Sequence, residues 1–179
     1  MDLLGCGTAL VTPFRGDSSV DEAALRSLVE WQVESGIGFL IPCGTTGEAA
    51  TLTEQEWLRV VEITVEAAAG RVPVFGGCTN NSTAEAVAKA KKLAQVPGLN
   101  GILTANPYYN KPGQQGQYLH FRAIAEAVEL PILLYNIPGR TGVNLEPATL
   151  LRLAEIPNIV GVKESSGNIT QITEILTAA

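Results

Sequence analysis

A lysine at the end of a predicted strand is the residue in this sequence best suited to covalent chemistry. The apolar run Ile159–Val162 predicts a buried strand, and Lys163 follows it directly. A polar loop over residues 164–168 then leads into an amphipathic run from Ile169, which is the order of a βα unit. Catalytic groups of parallel α/β folds lie at the carboxyl ends of strands.

Partial burial at such a strand end lowers the pKa of a lysine and leaves part of it as the neutral amine that attacks carbonyls. The alternative is that Lys163 only marks where the strand reaches the surface. The other strand ends decide between these two interpretations.

Two of those strand ends carry hydroxyl groups. Thr45 and Thr46 follow a predicted strand over residues 39–43, in a turn flanked by glycines whose backbone N–H groups can hold a carboxylate. An ordinary turn is the alternative. Tyr108 and Tyr109 follow the predicted strand over residues 101–104, and exposed paired tyrosines are equally typical of a subunit interface.

A third strand end supplies a tyrosine and an arginine. Tyr135 lies near the end of the predicted strand over residues 131–136, and a core tyrosine bonded to a backbone group is its alternative. Arg140 follows in the next loop and can clamp a carboxylate, unless it forms a surface salt bridge. An imine-forming lysine, hydroxyl groups that relay protons and an arginine for an anion together suit condensation of a 2-oxo acid without a metal or organic cofactor.

The composition excludes several other functions. The chain has 179 residues, a formal net charge of −6 and a pI near 4.8, so it lacks the basic surface that nucleic acid requires. The single histidine argues against a multi-histidine metal centre and against a Ser-His-Asp triad. The first residues contain neither a secretion signal nor a membrane span, so we expect a cytoplasmic protein without membrane partners. Cys6, Cys43 and Cys78 are predicted to be buried thiols of a reducing compartment.

About six apolar runs alternate with helical patterns at a spacing of roughly 30 residues, the size of a βαβ unit. Continuous apolar strands indicate a parallel sheet covered on both faces. A doubly wound sheet and a (β/α)8 barrel both remain open, although no GxGxxG motif supports the former. The predicted strands are 4–11, 39–43, 72–78, 101–104, 131–136 and 159–162, and the predicted helices are 23–34, 53–70, 82–95, 118–128, one from Pro147 and one from Ile169 to the end. Thr53 and Glu56 have the spacing of a capping box at the start of the second of these helices.

Four motifs, taken in order along nearly the whole chain, resemble those of the dihydrodipicolinate synthase family in the class I aldolase and pyruvate lyase superfamily. They are the segments 44–48 (Gly-Thr-Thr-Gly-Glu), 106–112 (Asn-Pro-Tyr-Tyr-Asn-Lys-Pro), 135–142 (Tyr-Asn-Ile-Pro-Gly-Arg-Thr-Gly) and 161–164 (Gly-Val-Lys-Glu). The resemblance implies a (β/α)8 barrel with a helical C-terminal extension, assembled as a dimer of tight dimers. It also implies an imine between Lys163 and pyruvate, with no cofactor.

The resemblance further implies a role for each remaining candidate. Tyr135 would relay protons, linked to Thr45 and to a Tyr109 that reaches the site from a neighbouring subunit. Thr46 and the amides of its turn would hold the pyruvate carboxylate, and Arg140 would bind aspartate semialdehyde. A lysine-effector site at the tight-dimer interface would include four positions, namely Ala50, Asn81, Glu85 and Tyr108, unless Asn81 and Glu85 only start and cap the third helix.

Two rival interpretations remain. A related pyruvate-dependent aldolase of the N-acetylneuraminate lyase type shares the lysine and the tyrosine, but the Gly-Arg-Thr-Gly segment over residues 139–142 favours the semialdehyde. The second rival is a truncated, inactive barrel. We expect residues 1–179 to form the N-terminal part of a single barrel domain, without the last two βα units and the C-terminal helices. Unpaired edge strands in such a chain predict aggregation or a need for a complementing segment.

Overall fold

Strands and helices alternate along the chain in the computed structural model, which describes residues 3–178. Met1 and Asp2, together with Ala179 at the end of the last predicted helix, lie outside the described residues. The elements are β1 (Gly7–Ala9), α1 (Glu22–Glu34), β2 (Phe39–Ile41), α2 (Glu54–Ala68), β3 (Phe75–Gly77), α3 (Thr83–Leu93), β4 (Gly101–Ala105), α4 (Gln114–Ala127), β5 (Ile132–Asn136), α5 (Pro138–Thr141), α6 (Pro147–Ala154), β6 (Ile159–Glu164) and α7 (Ile169–Ala178).

The chain divides into two compact units. The first comprises Met1–Gly77 and Val96–Gly101, and the second comprises Cys78–Gln95 and Ile102–Ala179.

In the first unit, β1 pairs in parallel with β2, and Leu40 of β2 also bridges in parallel to Val74, just before β3. Helices α1 and α2 pack against each other. The core of this unit is apolar; its fully buried members include Leu25, Val29, Leu40, Trp57, Val60, Ile63 and Phe75.

The two long helices of the first unit begin at side-chain caps. Asp21 accepts a hydrogen bond from the backbone N–H of Ala24 at 3.0 Å, at the start of α1. Thr53 and Glu56 form the reciprocal capping box that the sequence predicted for α2. Each cap satisfies backbone donors that have no partner inside the helix.

In the second unit, β4, β5 and β6 are parallel neighbours in that order. The register aligns Ala105 of β4 with Tyr135 of β5, and Tyr135 in turn with Lys163 of β6. Helices α3 and α4, α4 and α6, and α6 and α7 pack in pairs against one another. The predicted strand ends of β5 and β6 are therefore adjacent.

Several predicted boundaries were wrong for identifiable reasons. The strand predicted over residues 4–11 begins only at Gly7, because Gly5 adopts a φ of +83°, outside the extended region. The strand predicted from residue 72 begins at Phe75; Pro73, which has no N–H, precedes it. Helix α4 begins four residues before the predicted Tyr118, with Gly113 as its N-cap.

Two further features of the prediction were wrong. A short helix, α5, lies inside the predicted loop over residues 137–142; Pro138 begins it, and Gly142, with a φ of +76°, ends it. Cys6 is exposed, whereas Cys43 and Cys78 are buried as predicted.

No helix within residues 3–178 combines the length and the apolar character needed to cross a membrane.

Candidate active site

Lys163 and Tyr135 lie side by side on neighbouring strands. They are register partners in the parallel pair β5–β6, so their side chains leave the sheet on the same face. The Lys163 Nζ atom lies 4.4 Å from the centroid of the Tyr135 ring. The structure therefore brings together two of the candidate residues that the sequence placed at strand ends.

The environment of Lys163 favours the neutral amine. The side chain is half-buried, and this burial lowers the pKa of Lys163 below its ordinary value of 10.5. No carboxylate among residues 3–178 lies within ion-pair distance of Nζ to oppose that effect. A lowered pKa increases the share of the neutral amine, the form that attacks a carbonyl carbon.

Tyr135 is buried, with 8% of its surface exposed. Within the described part of the chain, its hydroxyl group makes no hydrogen bond, so the backbone partner expected of an ordinary core tyrosine is not found there. The hydroxyl group is thus available for a proton relay beside Lys163.

Arg140 is exposed on the short helix α5, five residues after Tyr135. The surface salt bridge that the sequence left open for it does not occur with any carboxylate among residues 3–178. Its guanidinium group can therefore take an anionic ligand.

Thr45 and Thr46 belong to the first unit, in the turn that follows β2, and both are exposed. The Gly47 N–H donates to the Gly44 carbonyl at 3.1 Å, and the Thr12 hydroxyl donates to the Gly47 carbonyl at 2.7 Å. The amides of Thr45 and Thr46 donate to no group in the described chain. The turn thus presents two free N–H groups, as an anion-binding turn requires.

Tyr108 and Tyr109 follow β4 in an irregular loop. Tyr109 has a φ of +71° and is 88% exposed, and Tyr108 is 38% exposed. Within the second unit, Tyr109 makes no side-chain hydrogen bond to any residue that the structure describes. It is not hydrogen-bonded to Tyr135 or Lys163 of its own chain.

The predicted effector residues are divided between the two units. Ala50 is exposed in the first unit, while Asn81, Glu85 and Tyr108 belong to the second. Ser82 caps α3 by accepting from the backbone N–H of Glu85 at 3.4 Å. Asn81 is therefore not the cap, and Glu85 contributes an exposed carboxylate in the first helical turn.

Four polar side chains behind Lys163 and Tyr135 were not predicted. Asn136, Asn144, Glu164 and Gln171, which we call the amide cluster, are joined by hydrogen bonds. A signal was present in the sequence, since Asn136 and Glu164 each directly follow a candidate catalytic residue. In the chain between residues 3 and 178, no group of three or more His, Cys, Asp or Glu side chains is arranged to hold a metal ion.

Solved structures show which fold class this chain has. It resembles the dihydrodipicolinate synthase of Cyanidioschyzon merolae with lysine bound, at 48% identity and a TM-score of 0.94, over 97% of this chain and 59% of that one. It also resembles the chloride-inhibited enzyme of Acinetobacter baumannii complexed with pyruvate, at 45% identity and a TM-score of 0.96, over 99% of this chain and 60% of that one. These neighbours are (β/α)8-barrel enzymes, so the predicted fold class is confirmed, and residues 3–178 contain six βα units.

The family is established by the sequence match. The model of the dihydrodipicolinate synthetase family matches residues 2–179, and the chain belongs to that family. The 4-hydroxy-tetrahydrodipicolinate synthase of Koribacter versatilis is 65% identical over 175 residues, which cover 98% of this chain and 58% of that protein. The chain spans 58–60% of the length of the first curated relatives it matches.

Proposed function

We propose that this protein acts in lysine biosynthesis through the diaminopimelate route, as a lyase that condenses pyruvate with L-aspartate 4-semialdehyde to 4-hydroxy-tetrahydrodipicolinate. The observation that carries the proposal is the half-buried Lys163 amine, 4.4 Å from the Tyr135 ring and without a carboxylate partner in the described chain. The name and the 65% identity of the Koribacter relative support the same reaction.

The proposed chemistry begins with a Schiff base. The neutral Lys163 amine attacks the carbonyl carbon of pyruvate, and loss of water leaves an imine. A proton then leaves the neighbouring methyl carbon, giving an enamine whose carbon attacks the aldehyde of the second substrate. The amino group of that substrate finally displaces Lys163 from the imine carbon and closes the ring. Each step needs a proton carrier, a role for which the free Tyr135 hydroxyl group is suited, and none needs an external cofactor.

The remaining residues have proposed roles in binding. Thr46, with its free turn amides, would bind the pyruvate carboxylate, and the Thr45 hydroxyl would extend the relay. Arg140 would bind the semialdehyde carboxylate as a bidentate partner. Tyr109, 88% exposed, would complete the relay of a second copy of the chain in a homo-oligomer, proposed to be a dimer of dimers in the cytoplasm.

Lysine is the proposed regulator of this activity. Asn81 and Glu85 offer an amide and an exposed carboxylate that the α3 cap does not use, and Tyr108 offers a partly exposed ring. Ala50 is a further predicted contributor. The Cyanidioschyzon relative, solved with lysine bound, is consistent with an effector site in the family. Calorimetric titration with lysine should give heat that Glu85→Gln removes; absence of heat at millimolar lysine in the unaltered protein would argue against regulation.

Arg140 offers the sharpest test of the substrates. Arg140→Lys keeps the charge but loses the fork geometry, so KM for aspartate semialdehyde should rise about tenfold, with a smaller change for pyruvate. Arg122→Lys is the matched control, because Arg122 forms a surface pair with Glu126 on α4. Turnover of N-acetylneuraminate, with none of the semialdehyde, would instead identify the related aldolase.

A further inference from the structure

The amide cluster lies on the opposite face of the strands that carry Lys163 and Tyr135. Asn136 and Glu164 are register partners one residue after that pair, and side chains alternate between the two faces of a strand. Asn136 is fully buried, and its Nδ2 atom donates to Glu164 Oε2 at 2.9 Å and to Asn144 Oδ1 at 2.8 Å. Its Oδ1 atom accepts from the backbone N–H of Leu145 at 2.9 Å. Every polar atom of this side chain is therefore engaged.

Gln171 of α7 closes the cluster on its other side. Its Nε2 atom donates to Glu164 Oε2 at 3.3 Å, and its Oε1 atom accepts from Asn144 Nδ2 at 2.8 Å. The second Glu164 oxygen accepts from the backbone N–H of Ser166 at 2.6 Å. The cluster thus joins the ends of β5 and β6 to α7 and to the segment between α5 and α6.

The hydrogen bonds continue to β4. Gln114 and Gln117 of α4 donate to the Asn144 carbonyl at 2.8 and 3.2 Å. Gln117 also accepts from Asn106, the residue that follows β4. The ends of all three strands of the second unit are thereby held by one network of buried and half-buried amides. The network is fully satisfied at Asn136, whereas the buried Oδ1 atom of Asn106 has no hydrogen-bond partner in the described chain. Because an unpaired buried group is costly, the stiff part of the network is the part at the ends of β5 and β6.

The cluster also controls where the charge of Glu164 lies. Burial disfavours the charged form of Glu164, but hydrogen bonds from Ser166, Asn136 and Gln171 outweigh it, so the pKa of Glu164 lies below its usual 4.5. The carboxylate is therefore ionised and fixed on the face away from Lys163. A carboxylate turned towards the amine would favour the ammonium form and oppose imine formation.

We propose that Asn136 and Glu164 are positioning residues of the amide cluster. They hold the ends of β5 and β6 so that Lys163 stays half-buried beside Tyr135, and they keep the Glu164 charge away from the amine. The inference rests on the proposed imine chemistry and concerns groups that contact no substrate. It follows the rule that a reactive group is oriented by hydrogen-bonded partners behind it.

The test is the pH dependence of borohydride trapping of the pyruvate imine. Glu164→Gln places an NH₂ group against N–H donors, and Asn136→Asp places a second carboxylate against Glu164. Asn136→Asp should raise the pH midpoint of trapping by about one unit, a tenfold loss of neutral amine, because repulsion from the second carboxylate displaces Glu164 towards the amine. Glu164→Gln removes the charge, so it should raise the midpoint by less, and only because the strand ends lose their hydrogen bonds. Trapping at saturating pyruvate should slow about tenfold, with little change in the pyruvate concentration at half-maximal rate. Gln171→Ala removes one donor to Glu164 and the acceptor of Asn144, but leaves the bonds from Asn136 and Ser166 to Glu164 in place. It should shift the midpoint in the same direction by less, and it provides the test if the other variants do not fold.

Two further variants separate positioning from general destabilisation. The double variant Asn136→Asp/Glu164→Gln again contains one amide and one carboxylate, with their positions exchanged. Its pH midpoint of trapping should return towards the wild-type value. Asn158→Ala is the matched control, because Asn158 lies at the opposite end of β6, where it donates to the Ala125 and Val128 carbonyls at 3.0 and 2.9 Å. It should lower the melting temperature and leave the midpoint unchanged.

The possible outcomes are distinct. If the wild-type protein traps pyruvate and the cluster variants trap it with the same midpoint, the positioning role is refuted. It is also refuted if Asn158→Ala shifts the midpoint as far as Glu164→Gln does. If the wild-type protein traps no pyruvate on Lys163, the proposed function fails instead.

Discussion

Gly77 at the end of β3 should tolerate no side chain. A Cβ atom added there would lie 1.8 Å from the Cys43 carbonyl oxygen and 2.4 Å from the Cys43 carbonyl carbon. Real Cβ contacts begin near 3.0 Å, so the backbone would have to move by 3.0 − 1.8 = 1.2 Å. Gly77 has little freedom to do so, because its N–H donates to Pro42 at 2.9 Å and its carbonyl accepts from the Trp57 ring N–H at 2.8 Å.

We expect Gly77→Ala to lower the free energy of unfolding by at least about 3 kcal/mol, the upper end of the usual cost of overpacking. That is a large part of the 5–15 kcal/mol typical of a domain. Because Cys43 directly precedes the turn that carries Thr45 and Thr46, pyruvate affinity should fall as well.

Denaturant unfolding followed by tryptophan fluorescence measures this cost. Gly16→Ala is the matched control, since a Cβ atom at Gly16 meets nothing within 4 Å and its φ is not positive. The control also corrects for the reduced freedom of the unfolded chain, which stabilises by about 0.4–1 kcal/mol. Equal stability of the two variants would refute the steric reasoning.

The capping box of α2 predicts that Thr53→Ala lowers the free energy of unfolding by about 1 kcal/mol. Thr53→Ser keeps the hydroxyl group that accepts from the Glu56 N–H, so it should change the free energy of unfolding little. Equal melting temperatures for the two variants would contradict this. His120 is buried, and burial lowers its pKa from 6.5 to about 4. His120 is therefore protonated below about pH 6.5 in the unfolded chain, but only below about pH 4 in the folded chain. The free energy of unfolding should therefore decrease as the pH is lowered from about 6.5 to about 4, by up to about 1.4 kcal/mol per pH unit. In urea titrations at several pH values, His120→Gln should reduce this pH dependence. An unchanged slope would show that another group carries it.

The sequence predicted those features whose signals are local. The capping box at Thr53 depends on residues three positions apart, and the strand ends at Tyr135 and Lys163 follow directly from apolar runs. Four motifs in order were enough to indicate the family, which the match over residues 2–179 confirms.

Features without a periodic or local signal were missed. Helix α5 has only four residues, too few for an amphipathic pattern, and residues 114–117 at the start of α4 are Gln-Gln-Gly-Gln, with no apolar position. The amide cluster depends on contacts between Asn136 and Glu164, 28 residues apart in the chain. Cys6 is exposed although it lies in an apolar run, because the run is strand only from Gly7 onwards.

Imine trapping on Lys163 tests the central claim most directly. The protein is incubated with pyruvate, reduced with borohydride, digested and mapped by mass spectrometry. We predict one reduced pyruvate adduct, on Lys163, and none after Lys163→Arg, because a guanidinium group stays protonated and does not attack carbonyls. An adduct on Lys111 instead, or no adduct in the unaltered protein, would contradict the account.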